Sequence, residues 1–132
     1  MRFGILFGLA ALVGGAVWAD DWPQWLGPQR DAVWRESGLV EKFDPAGPRV
    51  RWRTPIGAGY SGPAVEGGRV YVMDRRLAPG VGNPDNAFTK ALVPGQERVL
   101  CLDEASGEVI WVHEYDAPYT ISYAAGPRTT PA

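Results

Sequence analysis

The chain carries one cysteine and one histidine in 132 residues, and these scarcities exclude much of the usual catalytic and metal chemistry. Cys101 has no second cysteine to join, so no disulfide forms within the chain and burial alone must hold the fold. It lies in the apolar run Arg98-Val99-Leu100-Cys101-Leu102-Asp103, where a small buried hydrophobe is the plain reading and a reactive or intermolecular thiol the other. His113 has no second histidine, no cysteine pair and no carboxylate at ligand spacing, so no metal site is expected around it. The same histidine would have to serve any serine nucleophile. Gly59-Tyr60-Ser61-Gly62-Pro63 comes nearest to a nucleophile elbow, but Pro63 stands where that turn needs glycine. Ser61 is therefore expected to shape a turn, and no catalytic residue is assigned.

Two further absences bear on partners. Lysine and arginine are scattered and the formal net charge is -2, which leaves no footprint for a nucleic acid. No apolar run reaches the roughly 20 residues of a membrane span. Phe3 to Val17 is uncharged and shorter, follows Arg2, and leads to small residues before Asp20 and Asp21. Residues 1–19 thus read as a secretory signal cleaved after Ala19, giving a periplasmic or extracellular protein; an uncleaved anchor is the alternative.

What is abundant points to an all-β, turn-dense chain: Gly 17, Pro 12 and Trp 6. Residues 20–49 read as an extended leader, with Trp22 and Trp25 flanking Pro23. Val50-Arg51-Trp52-Arg53-Thr54 alternates apolar and basic residues as a half-buried strand does. Gly62 to Val65 and Arg69 to Asp74 flank a hairpin turn at Glu66-Gly67-Gly68. Strands from Arg98 to Asp103 and from Glu108 to Glu114 flank a second turn, with Gly107 where positive φ is needed. Between these hairpins, at about 77–96, the pattern predicts a long irregular loop.

Some surface groups invite a functional reading. Asn83-Pro84-Asp85-Asn86 is rich in oxygen donors but lacks the alternation of a calcium loop. Arg75, Arg76 and Arg128 are available in principle to an anionic ligand, or are ordinary solvated cations. Tyr115, Asp116, Tyr119 and Tyr123 form an aromatic-acidic stretch and are the expected contact surface for a protein or small-molecule partner.

The chain also repeats itself. Trp52 and Trp111 each close a strand of alternating character, and Gly59 to Ala64 is echoed by Gly126 to Ala132, where a Pro-Ala pair again ends a glycine-containing lead-in. An array that starts and does not continue is expected to be a truncated one.

Leu102-Asp103-Glu104-Ala105-Ser106-Gly107-Glu108-Val109-Ile110-Trp111 resembles the tryptophan-docking repeat of PQQ-type β-propellers, with Asp103, Ser106, Gly107 and Trp111 in register. The leader motif and Gly59 to Val65 are similar to exported bacterial proteins of that kind, relatives by fold of the assembly scaffold BamB and of quinoprotein alcohol dehydrogenases. The resemblance implies a β-propeller over residues 50–132, with about one four-stranded blade present. The strand at Trp52 would then close the last blade. It implies a non-catalytic binding or assembly scaffold. The alternative is a PQQ-dependent dehydrogenase holding PQQ with calcium, but no adjacent cysteines, calcium ligands or haem-attachment motif are visible, so no cofactor is evident.

Overall fold

A computed structural model describes residues 20–86, 88–121 and 125–132; the expected signal segment and Tyr123 lie outside them. Within the described residues the chain is all-β and built on antiparallel pairing. Six strands follow in order: β1 (Ala64–Glu66), β2 (Arg69–Leu77), β3 (Ala91–Val93), β4 (Gly95–Asp103), β5 (Val109–Asp116) and β6 (Tyr119–Ile121). Four make one sheet in the order β1-β2-β4-β5, and β3 pairs with β6 in a separate two-stranded ladder.

Local chemistry explains the two tight turns. Gly67 and Gly68 both take positive φ (57° and 74°), so Glu66 pairs directly with Arg69 across a two-residue hairpin whose twist matches its strands. The β4–β5 turn is held by Asp103. Its Oδ1 accepts from the Ala105 and Ser106 amides (3.1 and 2.9 Å) and from the Ser106 hydroxyl (3.0 Å). Those bonds, Ser106 first, hold the Asp103 carboxyl below its ordinary pKa. Gly107 completes the reversal at φ 73°, donating its amide to the Asp103 carbonyl.

Period-two alternation sorts the side chains onto two faces. One face carries Val72, Leu100 and Leu102, all buried, with Val70 packed beside them. Burying such side chains contributes about 1.5–3 kcal/mol each. Trp52 covers this cluster. Its Nε1 donates to the Glu104 carbonyl (2.8 Å), and Thr54 Oγ1 donates to the Gly107 carbonyl (2.6 Å). The same face holds Asp74, fully buried and paired with Arg98, whose Nε and Nη2 lie 2.8 and 2.5 Å from the carboxylate. The Gly57 amide is a third donor to Asp74 (2.5 Å).

The segment 50–54 departs from expectation. Its alternation is real, since Trp52 and Thr54 are half-buried while Arg51 and Arg53 are exposed, but it forms no strand. Side-chain bonds from Trp52 and Thr54 fasten it to the β4–β5 turn, with the indole packed on the sheet face. The expected loop at 77–96 is also shorter than predicted. β2 runs on to Leu77 and β4 starts at Gly95, with Leu77 opposite Gly95, and β3 lies inside the remainder. Loop-forming Pro94 and Gly95 hid this, because an edge residue without a donor and a glycine still fit the end of a ladder.

The edges are treated differently. Trp22 exchanges both backbone bonds with Val65 (2.8 and 2.9 Å), so the leader caps β1. β5 is exposed along all eight residues and ends the sheet.

Candidate functional site

The β3–β6 ladder places Val93 opposite Tyr119 and folds β6 back towards the sheet face that carries Tyr71, Met73, Arg75, Glu97, Val99 and Cys101. On β5 the odd positions Trp111, His113 and Tyr115 share that face, opposite Cys101, Val99 and Glu97. A bulge at Ile110 separates this register from the Val109–Leu102 pair.

Glu97 is the centre of the site. Tyr115 donates its phenol to Glu97 Oε2 (2.6 Å), and Tyr119 donates to Glu97 Oε1. Both phenols are thereby held protonated. The bond to Glu97 leads in raising the Tyr115 pKa. Burial leads in raising that of Tyr119 to about 12, with Glu97 second. Arg75 lies over the Tyr119 ring, 3.7 Å from its centroid, and donates to the Ala117 carbonyl (2.5 Å) and the Val93 carbonyl (2.7 Å). This buried arginine therefore stitches β2 to β3 and to the β5–β6 connection.

Beside the tyrosines lies a cleft of about 380 Å³, lined by Glu97, Tyr115, Tyr119, Met73 and Ile121 on one side and residues 126–129 on the other. The C-terminal segment reaches it because Tyr60 donates its amide to the Pro127 carbonyl (2.8 Å) and Gly126 packs on Gly59. The two echoed stretches, Gly59 to Ala64 and Gly126 to Ala132, thus lie side by side. Arg128 sits over the Tyr60 ring at 4.6 Å.

The sequence-derived contact surface is split by this geometry. Tyr115 and Tyr119 are brought together; Asp116 lies on the opposite face, where it accepts from Gln96 (3.3 Å), and Tyr123 is outside the described residues. Arg75 and Arg76 do not form an anion site. Arg75 is buried on carbonyls, and Arg76 pairs with Glu114 and Gln96, both at 3.1 Å. Glu97 was missed because the strand was expected to begin at Arg98; extending the Val99, Cys101 alternation back by two positions finds it.

The remaining candidates have structural places. Asp103, Ser106 and Gly107 form the β4–β5 turn, and Trp52 docks on it, while Trp111 stays 44% exposed beside Tyr71 with ring centroids 6.1 Å apart. Ser61 donates its hydroxyl to the Met73 carbonyl (3.1 Å). Cys101 is buried at 1% exposure. His113 is exposed on β5. Asn86 is engaged in its own loop, where its side chain accepts from the Phe88 amide (2.9 Å). Among the described residues no three histidine, cysteine or acidic side chains cluster as a metal site would require. No family model, no curated protein and no solved structure matches the chain.

Proposed function

We propose that this chain is part of an exported, PQQ-like repeat β-propeller acting as a non-catalytic binding or assembly scaffold. The observation that carries the reading is the seat of Trp52. The Trp52 indole, from the irregular segment 50–54, lies on the Asp103–Gly107 turn of the following four-stranded meander, with its N–H on the Glu104 carbonyl. Gly107 leaves the space: a Cβ there would stand 2.5 Å from the Trp52 ring. A tryptophan seated on the turn of the next unit is what links successive blades in a propeller of this type. The side-by-side placement of the echoed lead-ins supports the same repeat.

The scaffold reading rests on what the polar groups do. Among the described residues Ser61 donates to the Met73 carbonyl, Arg75 donates to the Ala117 and Val93 carbonyls, and Asp74 accepts from Arg98 and the Gly57 amide, so each holds the fold together. A PQQ-dependent dehydrogenase is the competing reading. Titrating the protein with PQQ and calcium separates them. Under the scaffold reading, the PQQ spectrum is unchanged and no alcohol-dependent dye reduction appears. A saturable spectral change with turnover would overturn it. Export is checked by N-terminal sequencing of the secreted product, which should begin at Asp20.

A further inference from the structure

We propose that residues 20–36 form a latch over the free edge of β1, and that cleavage before Asp20 tightens it by turning the Asp20 nitrogen into a cation against Glu36. The inference rests on the export reading and adds a structural consequence of processing. Three successive residues hold the latch. Trp22 exchanges both backbone bonds with Val65 (2.8 and 2.9 Å). The Asp21 carboxylate accepts from the Gly67 amide (3.3 and 3.2 Å), at the turn that follows β1. The Asp20 backbone nitrogen donates to Glu36 Oε1. The stretch between is folded back on itself. Ala32 donates its amide to the Leu26 carbonyl (2.9 Å), and the Trp22 ring lies so close to Gly27 that an added Cβ would stand 2.8 Å from it. β1 has only three residues, and without the latch its outer backbone groups would be open to pairing with another chain. All these contacts are made within the chain, so none depends on what covers the faces of the sheet.

Glu36 makes the latch sensitive to processing. It is half-buried, whereas the residues around it from Asp31 to Val40 are exposed. Among the described residues it forms no ion pair. Its neighbour Arg35 is committed to Asp31 by two bonds (3.1 and 2.5 Å). Asp20, Asp21 and Arg35 line one small cleft with Trp22 and Trp34, so the charges around the Asp20 nitrogen are mostly carboxylates. While the bond to Ala19 is intact, that nitrogen is a neutral amide and its contact with Glu36 is an ordinary hydrogen bond. Hydrolysis adds water across the bond, leaving a carboxylate on Ala19 and an α-amine on Asp20. An α-amine titrates at about 7.7–8.0, so it is protonated at neutral pH and its bond to Glu36 becomes charge-assisted. The added stabilisation is complete below that range and lost as pH rises through the amine's value beside Glu36. The surrounding carboxylates and Arg35 keep their charges there. An ion pair this near the surface contributes little to global stability, so the effect falls on local opening of the β1 edge.

The test is amide hydrogen exchange, followed by NMR, on the secreted product before and after selective acetylation of its α-amine. Acetylation keeps an N–H on Asp20 and removes only the charge. The Val65 amide donates to Trp22 and so reports the latch, while the Leu100 amide, on a strand paired on both sides, reports the sheet. At pH 7, acetylation should lower Val65 protection about two- to fivefold and leave Leu100 unchanged. Glu36→Gln should do the same to the free-amine protein and change the acetylated protein less than about 1.5-fold. Raising the pH from about 7 to 9.5 should bring the free-amine protein to the acetylated level. Equal Val65 protection before and after acetylation would overturn the proposal, as would an equal Glu36→Gln effect in both forms. N-terminal sequencing is read separately. A product that does not begin at Asp20 sinks the cleavage reading and this proposal together; one that begins there with an unchanged Val65 amide sinks this proposal alone.

Discussion

Replacing Gly107 by alanine tests the docking of Trp52 more directly than changing the tryptophan itself. Gly107 has φ 73°, a conformation that costs a residue with a Cβ about 1 kcal/mol or more. The new Cβ would lie 2.5 Å from Trp52 Cδ2 and Cε3 and 2.9 Å from Thr54 Oγ1. Either the turn or the indole has to move. The turn is pinned by Asp103 through two amides and a hydroxyl, so the indole gives way. Its departure forfeits the bond to the Glu104 carbonyl, about 1 kcal/mol net. It also uncovers Val72, Leu100 and Leu102; for a half-buried tryptophan this is near or below the lower end of the roughly 3–5 kcal/mol seen for large-to-small core changes. The total expected from G107A is about 3–5 kcal/mol, measured by urea unfolding followed by tryptophan fluorescence. In a Trp52→Ala background the same change should cost only the backbone share, about 1 kcal/mol. Equal costs in the two backgrounds, or a loss under about 1 kcal/mol in the parent, would refute the claim that the glycine exists to seat the indole.

Asp74→Ala leaves Arg98 and the Gly57 amide without their acceptor, and a loss of about 3 kcal/mol is expected in the same urea assay, the low end for a broken buried pair because Arg98 keeps some access to solvent. The raised phenol pKa values make the Tyr115 and Tyr119 contribution to stability complete below pH 10 and lost as pH climbs towards 12. A tyrosinate absorbance titration should therefore show a late-titrating fraction that coincides with unfolding. Glu97→Gln should return Tyr115 nearer to its ordinary pKa than Tyr119, because the carboxylate leads for the first and burial for the second. Cys101 should resist a thiol reagent in native buffer and react at once in denaturant; fast native reaction would contradict its burial.

The local units of this fold were legible in the residues alone. Gly67-Gly68 demands a two-residue hairpin, Asp103 with Ser106 and Gly107 demands a tight reversal, and the alternation around Trp52 shows which side chains turn inward. Each depends on φ preferences and side-chain bonds within a few residues, which are written locally. Long-range pairing is another matter. Whether residues 50–54 would join a ladder depended on finding an open edge, and the structure instead lays them across a face. β3 exists only because β6 returns to meet it, a partner some thirty residues away that no period in Ala91–Val93 announces. Arg75 and Arg76 are adjacent and chemically alike, yet pleating sends one into the interior onto two carbonyls and the other to Glu114 at the surface. Glu97, the hub of the site, is one more polar residue in the sequence. Only the antiparallel register of β4 with β5 and the return of β6 set two phenols on its two oxygens, because a site made of residues from three strands is defined by their pairing and not by any one strand's composition.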